Sequence, residues 1–365
     1  MTRGPQLVTA STARLAAAQH SAWPVRLVAM DHSPLFPSPD TPIRLHGPDE
    51  LLQAIPYLLG FHPAESLVVV GLSRGRVSVT MRVDLVADAP GELAEGLVAA
   101  LRRARVSEAF AVVYSECWPP DEARPFGAVV GALGIQAADA GLELVDGYLV
   151  SRGRRWSYRC FDNDCCPVAG VPLDDTPGVF AAEATVAGMV ALPSRADLVA
   201  LLDPEPDRDR LHDAIAAHEN ASVQAVLDGV ALRRTRSLKR ALFAAARAAD
   251  AGAPRLGDDD IARFGVALAD TEIRDAVWMA IDDRRLAGFE LWRQLVRRLP
   301  EPYDAAALFL LGWTAWREGN GAIASIAARR AVASDPTYSA ADLLLAAVSH
   351  GVDPRRVPRL RSRSA

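Results

Sequence analysis

The stretch SLVVVGLSRGRVSVTMRVDL, from Ser66 to Leu85, decides the fold class of the N-terminal half of this chain. Its first part, SLVVVGL, is a short run of β-branched residues, which is typical of a strand buried on both faces. Its second part alternates between apolar and polar residues, and the polar ones are Ser78, Thr80, Arg82 and Asp84. Because the tripeptide SRG separates the two parts, the stretch predicts a β-hairpin whose second strand has one polar face.

The sequence on either side of the hairpin predicts helices and further strands. A helix is expected from Gly47 to Gly60, with a kink or a broken last turn at Pro56. The later elements are a helix at 91–105, a strand at 109–116, a helix at 121–140, and strands at 142–151 and 154–160. This order indicates an α/β domain with a mixed sheet and helices packed on it.

After Pro177 the apolar spacing becomes helical and alanine dominates, which predicts an all-α domain. Its last part has the small and apolar landmarks of a tetratricopeptide-like helical hairpin, at Ala305, Leu311, Gly312, Ala315, Gly319, Ala324, Ala331 and Pro336. Only one such repeat is visible. The predicted divisions are therefore a disordered lead-in at 1–42, the α/β domain at 43–177, the all-α domain at 178–350 and a basic mobile tail at 351–365.

The composition argues for a globular protein and against several function classes. The chain has 365 residues, half of them apolar, so it can bury a substantial core. A net charge of -5 gives no general attraction to nucleic acid or to an anionic membrane. The basic run at 233–240 lacks interleaved aromatic residues, so we expect a solvated helix face there rather than a nucleic-acid site. No apolar run is long enough to span a membrane, and four cysteines do not make a disulfide scaffold, so a cytoplasmic location is expected.

Three of the four cysteines lie in WSYRCFDNDCCP, at positions 160, 165 and 166. Cys160 and Cys165 are close to the spacing of paired zinc ligands, but a second pair is missing and Cys166 is adjacent to Cys165. A redox role would need an exposed thiolate of low pKa, and no C-x-x-C motif is present. The expectation from sequence is therefore no cofactor, with these cysteines packed as small hydrophobes at a strand exit and zinc left open as the alternative.

Two pairs of residues are candidates for acid–base chemistry. His62 and Glu65 lie in the loop before the first hairpin strand, where Glu65 or Ser66 can equally satisfy free backbone groups. Arg82 and Asp84 lie on the polar face of the second hairpin strand, which we expect to form either an exposed ion pair or the floor of a pocket. The phosphate-binding, nucleophile-elbow and zinc-protease motifs are missing from the sequence.

Four blocks together resemble an actinobacterial family of domains of unknown function, number 4192. They are LLGFHPAESLVVVGL, RVSVTMRVDL, RWSYRCFDNDCCP and the terminal YDAAALFLLGWTAWREGNGAIASIAARRAVASDPTYSAADLL. The resemblance covers about residues 43 to 350 and implies no activity, although it suggests that the first three blocks belong to one unit.

We therefore expect a cytoplasmic binding or scaffolding protein whose helical half presents a groove to a protein or peptide partner. The alternative is an enzyme, such as a metal-dependent hydrolase, that combines Arg82 and Asp84 with His62 or the cysteines. That alternative requires these residues to meet in one cleft.

Overall fold

The structure is a computed structural model, which describes residues 25–27, 43–45, 47–85, 89–117, 124–174, 179–186 and 189–360. An eight-stranded mixed sheet forms the N-terminal region, in the order β2-β1-β4-β3-β5-β6-β7-β8. The pairs β1–β4 and β5–β6 are parallel and the others are antiparallel. The strands are β1 Val25–Leu27, β2 Ile43–Leu45, β3 Ser66–Ser73, β4 Arg76–Asp84, β5 Glu108–Tyr114, β6 Glu143–Ser151, β7 Arg154–Ser157 and β8 Val171–Pro172.

Thirteen α-helices and two 3-10 helices are found in the described ranges. Three of the α-helices belong to the sheet region: α1 Pro48–Leu59, α2 Pro90–Arg103 and α3 Gly127–Asp139. The others are α4 Val179–Val186, α5 Arg195–Ala200, α6 His212–Leu227, α7 Ala231–Asp250, α8 Asp258–Ala269, α9 Thr271–Asp282, α10 Phe289–Arg298, α11 Asp304–Arg317, α12 Gly321–Ser334 and α13 Ser339–Ser349. The predicted fold, an α/β region with a mixed sheet followed by an all-helical region, is confirmed.

The predicted hairpin forms, and its register explains one exception to the predicted alternation. β3 pairs with β4 along its whole length, and a shift between Gly71 and Leu72 interrupts the register. Val79 and the apolar residues after it pack under α2 and α3, whereas Val77 packs on the opposite face. A bulge at this position changes the face to which the first residues of β4 point.

Two of the predicted elements that have different ends in the structure lie beside the cysteines. The strand predicted to reach Cys160 ends at Ser157, whose Oγ accepts hydrogen bonds from the backbone N–H groups of Arg159 and Cys160. Such a side-chain bond competes with strand pairing and turns the chain. The helix predicted from 121 begins at Gly127, and 118–123 lies outside the described residues.

The sheet has a hydrophobic layer on each face. One layer packs α2 and α3 against β3, β5 and β6. The other is continuous from α1 and the opposite face of the sheet through α4 into the C-terminal helices, so the two predicted domains share one core. The backbone of Phe61, which follows α1, also forms a bridge with Leu192. The predicted boundary at 177–178 lies in 175–178, outside the described residues.

Helices α11 and α12 form the predicted hairpin, and the small residues lie at the contact between them. A Cβ atom added at Gly312 would lie 3.2 Å from the Cβ atom of Ala327, and Ala324, Ala328 and Ala331 are fully buried. Small side chains therefore allow the two helices to pack closely. The similarity of this hairpin to a tetratricopeptide repeat stays a prediction.

The lead-in was predicted to be disordered and the C-terminal tail to be mobile, but the described residues of both segments make ordered contacts. Val25–Leu27, within the predicted lead-in, pairs with β2, and the rest of that segment up to 42 lies outside the described residues. Residues of the predicted mobile tail up to 360 contact both α2 of the sheet region and the helical region. The guanidinium group of Arg356 donates to the carbonyl of Ala104, and that of Arg359 to the carbonyl of Asp282. Two arginines of this basic segment thus bind backbone carbonyl groups of other elements.

Candidate functional site

The loop before β3 is held by backbone and side-chain hydrogen bonds. Glu65 has a φ of 40°, and its carboxylate accepts from the Ser115 hydroxyl at 3.1 Å and from the Glu116 backbone N–H at 2.7 Å. His62 is exposed, and its backbone N–H donates to the carbonyl of Leu192. The alternative role expected for Glu65, satisfying free backbone groups, is confirmed.

Arg82 and Asp84 form an ion pair at the surface, because the side chain of Asp84 is 80% exposed. The guanidinium group of Arg82 also lies 3.4 Å from the carbonyl of Ala64. Two clefts in the helical region, one between α7 and α9 and one beside Glu205, include neither residue. The geometry therefore agrees with the exposed ion pair rather than with a pocket floor.

The loop before β3 and the three cysteines lie at different positions along the direction of the strands. Asp146, beside the cysteines, is in register with Phe110, which is in register with Val70. Val70 lies four residues along β3 from Ser66, or about 13 Å at roughly 3.3 Å per residue. The start of β3, which follows the loop of His62 and Glu65, therefore lies at a different position along the strands from Asp146. The combination of Arg82 and Asp84 with His62 or the cysteines stays a prediction.

The thiols of Cys160, Cys165 and Cys166 converge, and their Sγ atoms all lie within 4.8 Å of one another. The Sγ atoms of Cys160 and Cys165 are 2.9 Å apart. Cys160 is buried, Cys166 is half-buried and Cys165 is exposed. The expectation that all three pack as small hydrophobes therefore holds for Cys160 alone. The turn between them carries the other two outward from the sheet.

The loop that carries the thiols is fixed at several points. The Cys166 backbone N–H donates to the carbonyl of Asp162 at 2.7 Å and closes the turn. The Trp156 indole N–H donates to the carbonyl of Val168 at 2.9 Å, and the ring lies directly over Gly170, where a Cβ atom would be 2.5 Å away. The loop returns to the sheet in β8. Its thiols are thus held near one another by the backbone.

Arg124 comes to the thiols from the turn before α3. Its guanidinium group donates to the carbonyl of Cys160 at 2.8 Å and lies 4.1 Å from the centre of the Phe161 ring. Burial lowers the pKa of Arg124, and the neighbouring groups of Cys166 and Cys160 act in the opposite direction. The Tyr158 hydroxyl donates to the carbonyl of Pro125 next to it. Arg124 was not predicted as a neighbour of the thiols, because it lies 36 positions before Cys160 in the chain.

Three groups in and beside the thiol cluster have raised pKa values: Cys165, Cys166 and Asp146. Burial raises the pKa of the Cys166 thiol to about 12, and the hydrogen bond between Cys165 and Cys160 raises the pKa of the Cys165 thiol. Burial also raises the pKa of Asp146, whose carboxylate accepts from the Ser157 hydroxyl at 2.9 Å and from the Gly147 backbone N–H at 2.7 Å. Asp146 was not a candidate in the sequence analysis, and its only signal there is a carboxylate in the middle of β6.

The thiol positions fit a metal ion with soft ligands. Zn²⁺ takes thiolate sulfurs at about 2.3 Å in a tetrahedron, which separates the sulfurs by roughly 3.8 Å. The Sγ atoms of Cys160 and Cys165 are closer than this, at 2.9 Å, and all three sulfurs lie within 4.8 Å of one another. Three thiolates would fill three positions and leave the fourth open on the exposed side.

A second feature lies in the helical region, where α7 and α9 enclose a groove of about 490 Å³. Lys239 and Arg240, from the basic run noted in the sequence, line it together with Arg247 and Arg285. The run was expected to be a solvated helix face. Two of its cations instead border a concave surface, which only the packing of α9 against α7 creates.

The sequence model of the family described as "Domain of unknown function (DUF4192)" matches residues 48–355. The chain belongs to this family. The matched residues include both the thiol cluster of this DUF4192 protein and its groove. No curated protein and no solved structure matches the chain. Of the helices that the structure describes, none combines the length and the apolar character that a membrane span needs.

Proposed function

We propose that this protein is a binding protein that holds a zinc ion with the thiolates of Cys160, Cys165 and Cys166. One observation carries the proposal: three thiols that the sequence spreads over seven residues have sulfurs within 4.8 Å of one another. Zinc prefers such ligands, and bound zinc stabilises a loop that has little secondary structure of its own. The zinc would then hold the loop between β7 and β8.

The surroundings of the cluster favour a metal over plain packing. A cysteine that serves as a small hydrophobe is normally buried, whereas Cys165 is exposed. Without a cation, three adjacent thiols cannot all ionise, because each thiolate repels the next. A divalent cation removes that repulsion and takes the place of the thiol protons.

The hydrolase alternative has less support, because Asp84 pairs with Ser66, four residues along β3 from the position that is in register with Asp146. With three protein ligands the centre keeps one open position, which a water molecule or a partner's side chain would fill. We infer that the protein acts in a reducing cytoplasm, where free thiols persist. We also infer that its tetratricopeptide-like α11–α12 hairpin packs as part of a scaffold for partners.

The test is the metal content of the full chain, purified without chelators, by inductively coupled plasma mass spectrometry. We expect about one zinc ion per chain, as the ligand set implies. The double variant Cys165→Ser, Cys166→Ser should lose the metal. The variant Cys117→Ser is the matched control and should keep it, because that cysteine lies outside the cluster. Cobalt substitution should add the thiolate charge-transfer bands of a tetrahedral site.

Two results would contradict the proposal. One is a metal-free protein in which a thiol reagent counts all four cysteines after denaturation. The other is a disulfide between Cys160 and Cys165 in protein purified under reducing conditions, which would make the cluster a redox pair. Circular dichroism of the double variant separates loss of metal from loss of fold.

A further inference from the structure

The groove between α7 and α9 combines a basic rim with an apolar floor. Its volume of about 490 Å³ is within the range of sites that bind small molecules. Phe243 and Met279 are half-buried and lie between the cations. Lys239, Phe243 and Arg247 are four residues apart in turn along α7, so they share one face of the helix.

Two of the four cations are already neutralised by neighbouring carboxylates. Lys239 pairs with Glu272 at 2.6 Å, and Arg285 pairs with Asp283 at 3.0 Å. Within the described ranges, neither Arg240 nor Arg247 has a carboxylate partner. The groove therefore carries about two uncompensated positive charges, both on guanidinium groups.

The two unpaired guanidinium groups point to the chemistry of the ligand. Arg240 and Arg247 are seven residues apart on α7, which is about 10 Å along a helix axis. A planar guanidinium group binds phosphate with two parallel hydrogen bonds, and an aromatic ring such as that of Phe243 stacks on a flat apolar body. At this separation, Arg240 and Arg247 can bind the two ends of one small anion.

We propose that this groove binds a small phosphate-bearing molecule of nucleotide size. Its phosphates would lie on Arg240 and Arg247, and its flat body on Phe243 and Met279. A small ligand is favoured over nucleic acid, because the net charge of -5 offers no general attraction to a polyanion. The inference does not depend on the zinc centre.

The test is calorimetric titration of the full chain with adenosine triphosphate and, separately, with inorganic triphosphate. We expect both probes to bind, and the nucleotide to bind more tightly because it also stacks on Phe243. The double variant Arg240→Ala, Arg247→Ala should weaken both probes roughly tenfold or more, because it removes charge-assisted hydrogen bonds. The variant Phe243→Ala should weaken the nucleotide alone.

The matched control is the double variant Arg233→Ala, Arg236→Ala. It makes the same change of charge on the same helix, at two exposed positions outside the groove, and should leave both affinities within about twofold. Failure of both probes to bind would overturn the proposal, as would equal losses in the two double variants. Binding of duplex DNA that depends on Arg240 and Arg247, without binding of either probe, would replace it with a nucleic-acid site.

Discussion

At the scale of single residues, Gly71 shows how a missing side chain lets a sheet and its helices approach each other. A Cβ atom there would lie 2.8 Å from a methyl group of Val79 and 2.9 Å from methyl groups of Leu101 and Val106. Gly71 also lies at the register shift of the hairpin. The position therefore has no room for even one methyl group, because three packed side chains surround it.

We predict that Gly71→Ala lowers the free energy of unfolding by about 1–3 kcal/mol, the usual cost of overpacking a core. The control is Gly96→Ala in α2, where an added Cβ atom meets nothing within 4 Å. That substitution should raise stability by up to about 1 kcal/mol through helix propensity. Urea denaturation measures both. Equal effects of the two substitutions would show that Gly71 is not a packing constraint.

At the scale of elements, one ion pair joins α9, α11 and the segment after α13. Asp282 has a fully buried side chain and accepts from the guanidinium group of Arg317 at 2.6 Å and from the Trp313 indole at 3.0 Å. Arg317 also donates to the carbonyl of Val357 at 2.9 Å, and the Leu360 backbone N–H donates to Asp282. These bonds explain why the C-terminal segment is packed.

We predict that Arg317→Ala lowers the free energy of unfolding by about 3–5 kcal/mol, because it leaves the Asp282 carboxylate buried without its counter-charge. Arg293→Ala is the control, since Arg293 makes a similar two-bonded pair with Glu290 whose side chains are 29% and 30% exposed. The control should cost less than about 1 kcal/mol. Thermal unfolding compares them, and similar losses would argue against the burial of Asp282.

At the scale of the whole molecule, the sheet and the helical region are held by a common core. Val68 and Phe110 from the sheet belong to the same buried cluster as Leu242 and Phe309 from the helices. Phe180 of α4 lies between the regions, and its ring is 5.8 Å from that of Tyr57 in α1. A shared core couples the unfolding of the two regions, because unfolding one region exposes the apolar side chains of the other.

We predict a single cooperative unfolding transition for the two regions. Phe180→Ala should destabilise both by about 3–5 kcal/mol, the cost of a large cavity. Val186→Ala is the control on the same helix, at a side chain that is 91% exposed, and should change little. Hydrogen exchange of peptides from β5 and α11, at increasing denaturant, measures the two regions separately. Loss of protection at two distinct concentrations would contradict the shared core.

Local sequence pattern was sufficient to predict the central strands of the sheet, and it failed where a side chain bonds to backbone outside its own element. The alternation of β4 and the β-branched run of β3 are properties of neighbouring residues, so they were readable in the sequence. The end of β7 at Ser157 was not, because it depends on a hydroxyl group that bonds two backbone N–H groups beyond it. The same holds for the carboxylate of Glu65, which bonds a loop fifty residues away.

Short-range periodicity in the sequence was enough to predict α1 to α3, β3 to β7, a mixed sheet and a helical second half, whereas β1, β2 and β8 were not predicted. The tertiary structure decided which side chains meet. It placed Arg124 over the loop of the three thiols, and it set α9 against α7 so that Arg240 and Arg247 border a groove. It also joined the two halves through one core. Contacts between residues far apart in the chain depend on how whole elements pack, and no local pattern records that packing.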